Sequence, residues 1–86
     1  MRVDLLMNKL CLVKTRSIAK KACDKGLVQL NGHAAKASAT VQVGDALEYE
    51  IYGYRTSLKI TEIPTGNVSK ATAMNYYQLE SREKLV

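Results

Sequence analysis

The hydrophobic pattern of this chain changes its period at Gly26, and this change constrains the fold more than any other feature. Apolar residues in 3–13 recur at the spacing of one helical face. In residues 47–52 they alternate with polar ones, as in a half-buried strand. We therefore predict an α+β domain in which two short N-terminal helices pack on a small, mainly antiparallel sheet.

The first helix is predicted from about Arg2 to Leu12, with an acidic first turn that suits the helix dipole. A second helix begins at a cap, Thr15 or Ser17, and ends at Gly26, because glycine readily adopts the left-handed conformation after a helix. Four small or apolar residues form its inner side: Ile18, Ala19, Ala22 and Cys23.

The predicted sheet follows the second helix. Residues 27–30 form the first strand, and Asn31-Gly32 predicts a tight turn because both residues tolerate positive φ. Further strands are expected at 41–43, at 47–51 and at about 57–63, with a turn at Gly53-Tyr54 and a stop at Pro64.

The tail has a different pattern. Ala71, Met74 and Tyr77 lie at helical spacing and predict a third helix that frays at its polar end. At least one of the adjacent tyrosines at 76 and 77 is expected to pack against the domain. We divide the chain into a domain over 1–66 and a C-terminal extension over 67–86.

Positive charge is concentrated at one end of the chain. The whole sequence has 13 Lys and Arg against 8 Asp and Glu, a net charge of +5. Residues 1–36 contain eight of these cations and two acids, whereas residues 37–86 contain five cations and six acids. This asymmetry is typical of a surface for a polyanion, although a solvated helix face gives the same pattern.

The charge spacing in the second helix favours a polyanion-binding surface over a solvated helix face. Arg16 and Lys20 lie four residues apart, as do Lys21 and Lys25, and like charges at that spacing cost a few tenths of a kcal/mol per pair. A bound anion would offset that cost. The helix N-terminus beside Lys14 also offers backbone N–H groups to a phosphate.

Three segments, "MRVDLLM", "KTRSIAKKACDKGLVQLNGHAAKAS" and "VQVGDALE", resemble the RNA-binding domain named after ribosomal protein S4, or alpha-L motif. The stand-alone form is similar to the ribosome-associated heat-shock branch of that family. The resemblance implies binding to structured RNA, in particular ribosomal RNA of large subunits that still carry a peptidyl-tRNA. Carried over by position, the RNA-binding set is Arg2, Lys14, Thr15, Arg16, Ser17, Lys20, Asn31, Gly32, Lys36 and Ser38.

Other function classes have little support. Cys11, Cys23 and His33 lack the spacing of a zinc site or a catalytic group, so we expect no cofactor, no metal and no enzyme activity. No apolar run approaches the ~20 residues of a membrane span, and no signal peptide is recognisable. We expect a cytoplasmic protein with no membrane or small-molecule partner.

Three alternatives stay open. The chain could be a regulatory protein-interaction module whose basic face meets an acidic partner. It could be a regulatory or targeting module that acts on an enzyme, since this domain also occurs attached to pseudouridine synthases and aminoacyl-tRNA synthetases, or an accessory module that binds tRNA or mRNA. It could be a small redox or metal protein that uses the two cysteines and the histidine.

Overall fold

A computed structural model describes residues 1–85 and shows two helices followed by a five-stranded sheet. The helices are α1 (Val3–Lys9) and α2 (Arg16–Asp24), and the strands are β1 (Val28–Leu30), β2 (His33–Ala34), β3 (Ala46–Ile51), β4 (Tyr54–Ile60) and β5 (Tyr77–Lys84), with a 3₁₀ turn at Ala73–Tyr76. All neighbouring strands are antiparallel, in the order β2-β1-β3-β4-β5. The predicted α+β class is confirmed.

Both helices end in a Schellman motif, in which a residue with positive φ reverses the chain. In α2 this residue is Gly26, as predicted, with φ of 74°. In α1 it is Cys11, with φ of 58°, and the amide of Leu12 donates to the carbonyl of Met7 at 2.9 Å. The first helix therefore stops at Lys9 and not at about Leu12, as the sequence had predicted.

The core lies between the helices and one face of the sheet. Helix α2 contributes small residues at this contact, which lets its backbone approach the strands closely. The largest fully buried apolar side chains come from both layers and from the adjoining loops: Val3, Leu6, Met7, Leu10, Val28, Val41, Leu47, Leu58, Ile60 and Pro64. The sheet is thus half covered, with its inner face toward the helices and its outer face in solvent.

Two tight turns shape the sheet. Asn31 and Gly32 have φ of 54° and 83°, which confirms the predicted turn between β1 and β2. The turn between β3 and β4 is formed by Tyr52 and Gly53, with φ of 58° and 77°, one residue earlier than predicted. A bulky residue is rare in this left-handed conformation, so Tyr52 is a strained position.

Two strand predictions need correction. Residues 41–43 form no named strand. Thr40 makes an isolated bridge to Arg2, and Val41 is held by its amide bond to the carbonyl of Met1. Their alternation reflects a buried Val41 next to exposed residues of a loop. The strand predicted at 57–63 lies at Tyr54–Ile60, because pairing with all of β3 decides where β4 starts.

The third helix predicted for the tail is wrong. Only one turn of 3₁₀ helix forms, and the next eight residues form β5, of which seven pair with β4. Met74, on the predicted helical face, is 71% exposed and does not pack on the core. A strand forms instead because pairing with the edge of β4 satisfies the backbone groups of the tail. Tyr76 and Tyr77 do pack against the core, as expected for at least one of them.

A β-bulge interrupts the pairing of β4 with β5. Ser57 lies opposite Ser81 and Leu58 lies opposite Leu79, so Glu80 has no partner residue on β4. Because side chains alternate along a strand, the extra residue returns Arg82 to the same face as Leu79. The inner face of β5 therefore carries both an apolar and a cationic side chain.

Candidate RNA-binding face

A buried aspartate joins the two helices. The side chain of Asp4 in α1 is 2% exposed, and those of Arg2 and Arg16 beside it are 48% and 45% exposed. Arg2 Nε lies 3.2 Å from Asp4 Oδ1, and Arg16 Nε lies 3.1 Å from Asp4 Oδ2. We call Arg2, Asp4 and Arg16 the arginine cluster, in which one buried carboxylate fixes two half-exposed guanidinium groups.

The carboxylate of Asp4 is stable in its charged form. Burial opposes ionisation, but hydrogen bonds from Arg16 and from the Leu5 amide, with the charges of Arg16 and Arg2, outweigh that effect. The pKa of Asp4 therefore lies below its ordinary value of 3.8. At neutral pH one negative carboxylate holds two positive guanidinium groups, so the arginine cluster as a whole keeps a net positive charge.

The arginine cluster opens into a groove of about 320 Å³ between the two helices. Ser17 and Lys20 line it together with the three residues of the cluster. The structure thus brings together four of the residues predicted to bind RNA. Within residues 1–85 Arg16 donates a hydrogen bond only from Nε, which leaves its two terminal nitrogens available to a ligand.

Lys36 and Ser38 do not line this groove but a separate cavity of about 280 Å³. Their loop runs beside the start of α1, where the amide of Val3 donates to the carbonyl of Ala39 at 2.8 Å. The bridge between Arg2 and Thr40 fixes the same loop. The loop therefore extends the basic surface beyond Arg2.

The predicted residues of the first turn have structural partners. Asn31 donates from Nδ2 to Asp45 at 3.1 Å and accepts the amide of Ala46 at 2.9 Å. Gly32 supplies the second left-handed position of the turn. Asn31 therefore holds the turn after β1 against the start of β3, and Gly32 completes the turn into β2.

Thr15 and Lys14 precede α2. The hydroxyl of Thr15 caps the helix by accepting the amide of Ile18 at 3.3 Å, which confirms the first of the two predicted caps. Lys14 lines a different cavity, with Tyr52 and Lys70, and its amide donates to the hydroxyl of Tyr52 at 3.1 Å. All ten predicted residues are exposed, but they lie along a surface and not in one pocket.

Sequence reasoning missed the central role of Asp4. Its position in the first turn of α1 was explained by the helix dipole alone. The available signal was the spacing Arg2-x-Asp4, because a carboxylate two residues from an arginine in the basic segment offers it a partner. The partnership with Arg16, twelve residues away, depends on how the helices pack.

The cysteines and the histidine form no common site. Cys11 is exposed and Cys23 is buried, both as free thiols, and His33 is exposed on β2. Burial, with the negative charges of Asp4 and Asp24, raises the pKa of the Cys23 thiol. Among residues 1–85 no three His, Cys, Asp or Glu side chains are grouped to bind a metal ion.

The two sides of the domain differ in charge. Glu48 and Glu50 lie in register with Ser57 and Arg55 on the outer face of the sheet, and Arg55 makes an ion pair with Glu50 at 2.7 Å. The helical side carries the arginine cluster and Lys20. The positive charge of the domain is therefore concentrated on the helical side and is balanced by acidic residues on the outer face of the sheet. Within residues 1–85, no helix has the length and apolar character that a membrane crossing requires.

These features define the alpha-L class of helix pair, and the family model of the S4 domain matches residues 1–47. A Bacillus subtilis protein named RQC P-site tRNA stabilizing factor is 33% identical over 85 residues, which are 99% of this chain and 98% of that protein. Its Helicobacter pylori counterpart of the same name is 33% identical over 84 residues, which are 96% of this chain and the whole of that protein. The chain therefore belongs to the S4 domain family and, within it, to the group of these relatives.

A solved structure supports the same assignment. Heat Shock Protein 15 of Vibrio cholerae, determined as a trimer, superposes with a TM-score of 0.87 at 25% identity. The match covers 94% of this chain and 82% of the Vibrio chain. The similarity to the stand-alone heat-shock branch is thereby confirmed.

Proposed function

We propose that this protein binds structured ribosomal RNA through the groove between α1 and α2 and stabilises a tRNA in the P site of the large ribosomal subunit. It would act in ribosome quality control, in the cytoplasm, as a binding protein without catalytic activity. The observation that carries the proposal is the arginine cluster. It presents two guanidinium groups in fixed positions beside Lys20.

The geometry supports phosphate binding. A guanidinium group can donate two parallel hydrogen bonds to a phosphate, and Arg16 has its two terminal nitrogens available for this. The first-turn amides of α2, next to Ser17, lie at the positive end of the helix dipole. Since both arginines are already ordered by Asp4, binding costs less side-chain entropy.

Recognition would depend on RNA shape more than on sequence. The deep groove of A-form RNA hides its base edges, so a rigid helix pair would contact phosphates and 2′-hydroxyl groups of a folded RNA. With about four to six phosphate contacts, the association constant should fall in proportion to the salt concentration raised to a power of roughly three to five. The names of the relatives favour an RNA site made of ribosomal RNA and tRNA together.

Charge reversal at Lys20 tests the proposal. Lys20→Glu should lower the affinity for large subunits about tenfold or more and reduce the salt slope by about one or two. Lys59→Glu makes the same change of charge on the outer face of the sheet and serves as the matched control. Equal losses in both variants would contradict binding at the helix pair. Arg16→Glu is less suitable, because it places a second carboxylate beside the buried Asp4.

Sedimentation distinguishes the alternatives. Tagged protein in a cell lysate should migrate with large subunits that carry peptidyl-tRNA, and Lys20→Glu should remain at the top of the gradient. Migration with free tRNA or mRNA would instead support an accessory module. Retention of partners after RNase treatment would indicate a protein-interaction module.

A further inference from the structure

The helices leave part of the sheet's inner face open. Helix α2 packs on β1 and β3, and beyond the end of α1 the inner face of β4 and β5 borders a groove of about 210 Å³. Four of the five tyrosines of the chain line it, together with Arg82: Tyr49, Tyr52, Tyr54 and Tyr77. We call this site the tyrosine groove.

Two local distortions of the backbone shape the tyrosine groove. The bulge at Glu80 returns Arg82 to the inner face, where its guanidinium carbon lies 4.3 Å from the ring centroid of Tyr54. The left-handed conformation of Tyr52 leaves its side chain 54% exposed at the edge of the groove. Both distortions cost free energy, and such costs concentrate at sites where side chains must be aimed.

The groove is neutral or positive throughout. No acidic residue lines it, and within residues 1–85 no carboxylate lies at salt-bridge distance from Arg82. Burial raises the pKa of Tyr49, so its hydroxyl stays neutral. The groove continues into the cavity of Lys14 and Lys70, because both share Cys11, Leu12 and Tyr52 as lining residues.

We propose that the tyrosine groove binds an unpaired nucleotide of the RNA that the helix pair grips. The base would stack on the exposed ring of Tyr52, and the adjoining phosphates would lie between Arg82 and Lys14. This inference rests on the proposed RNA binding and adds a subsite for a single-stranded segment. The small volume suits one base, since sites for larger ligands have roughly 300 to 1,000 Å³.

Aromatic stacking and flanking cations are the two features by which proteins hold single-stranded nucleic acid. Each stacked base contributes about 1 to 3 kcal/mol and accepts any base identity. An acidic peptide would use the cations but would gain little from the rings. The aromatic lining therefore favours a nucleotide.

Binding of three RNA hairpins with the same stem tests the subsite. One hairpin has a blunt end, one carries three unpaired 3′ nucleotides, and one carries an abasic tail of the same length and charge. The tail with bases should bind about tenfold more tightly than the abasic tail, because one base stacks. Equal affinities for the two tails would overturn the proposal.

Two variants of Tyr52 locate the effect. Tyr52→Asn should abolish the gain from the bases while the fold persists, because asparagine tolerates the left-handed conformation. Tyr52→Phe retains the ring and should retain the gain, although it loses the hydroxyl contact with Lys14. If Tyr52→Asn kept the full gain, the base would not lie in the groove.

A separate measurement tests the tyrosine groove even if none of the three hairpins binds the protein. That result would contradict the proposed function, while the groove can still be tested with a free trinucleotide. In the full chain with isotope-labelled tyrosines, millimolar trinucleotide should shift the ring resonances of Tyr52 and Tyr54. Those of Tyr76, which does not line the groove, should not move. Absence of saturable shifts at Tyr52 would contradict the subsite.

Discussion

The arginine cluster and the tyrosine groove hold their cations by different means. Arg16 is fixed by a hydrogen bond to a buried carboxylate, whereas Arg82 lies over the ring of Tyr54. The first arrangement neutralises part of the positive charge in exchange for a defined position. The second keeps the whole charge but depends on the register of a strand.

This difference shows that exposed cations of one small domain can depend on unlike parts of the fold. The arginine cluster requires an ionised Asp4, so it is sensitive to pH and to substitutions in α1. The cation of the groove requires the bulge and the ring of Tyr54, and no carboxylate takes part in either contact. Four predictions separate the two arrangements, starting with the largest effect.

Substitution of Asp4 should have the largest effect on stability. Asp4→Ala removes the partner of two arginines and of the Leu5 amide, and should lower the free energy of unfolding by about 2 to 3 kcal/mol. Urea denaturation monitored by circular dichroism measures this change. Asp24→Ala removes an exposed acid from the end of α2 and should change stability by less than about 0.5 kcal/mol. A similar loss in both variants would mean that the buried carboxylate contributes no more to stability than an exposed one.

Acid should weaken the same cluster by a smaller amount. Because the pKa of Asp4 is lower in the folded protein than in the unfolded chain, its contribution is complete above about pH 5 and is lost as the pH falls below 4. The stability difference between the wild type and Asp4→Asn should therefore shrink between pH 5 and pH 2.5. A constant difference would show that the charge of Asp4 is not what stabilises the helix pair.

Substitutions at the C-terminal ends of the two helices should change the stability of the fold in opposite directions. Gly26→Ala places a side chain in a left-handed position and should cost about 1 kcal/mol. Cys11→Gly relieves the same strain at the end of α1 but makes the unfolded chain more flexible. Since the two effects oppose each other, the net stabilisation should be about a few tenths of a kcal/mol. Thermal denaturation of both variants compares them directly. Destabilisation by Cys11→Gly would indicate that the thiol packs usefully against the groove.

Substitution of Arg82 should have the smallest effect. Arg82→Gln loses an exposed cation–π contact worth about 0.5 to 1 kcal/mol, or less where solvent screens it. Unlike the Asp4 variants, it should show the same difference from the wild type at pH 6 and at pH 3. A difference that varied with pH over this range would mean that an acidic side chain also holds Arg82.

Local signals account for what the sequence predicted correctly. Thr15, Gly26 and the Asn31-Gly32 pair each act within a few residues, so the second helix and the first turn were found nearly at their true bounds. The residues of α2 that we propose to bind RNA followed from the same segment, and four of the ten predicted residues share one groove. Their contact with RNA stays a prediction.

Long-range pairing explains what the sequence did not reveal. The tail becomes a strand because the edge of β4 is available, and no short segment of 67–86 records that fact. The interaction of Asp4 with Arg16 depends on the packing of two helices, and the tyrosine groove combines residues of α1's end, β3, β4 and β5. Each of these features needs contacts that period and spacing do not encode.

The bulge at Glu80 decides which side of the sheet the end of the tail faces. If the same residues paired without the bulge, Arg82 and every later side chain would exchange the inner face for the outer one. Deletion of Glu80, in contrast, would join Leu79 to Ser81 in regular alternation and leave Arg82 opposite Thr56 on the inner face. When related chains are aligned, a one-residue gap at position 80 therefore marks a strand that keeps its charges on the same side of the sheet without a bulge.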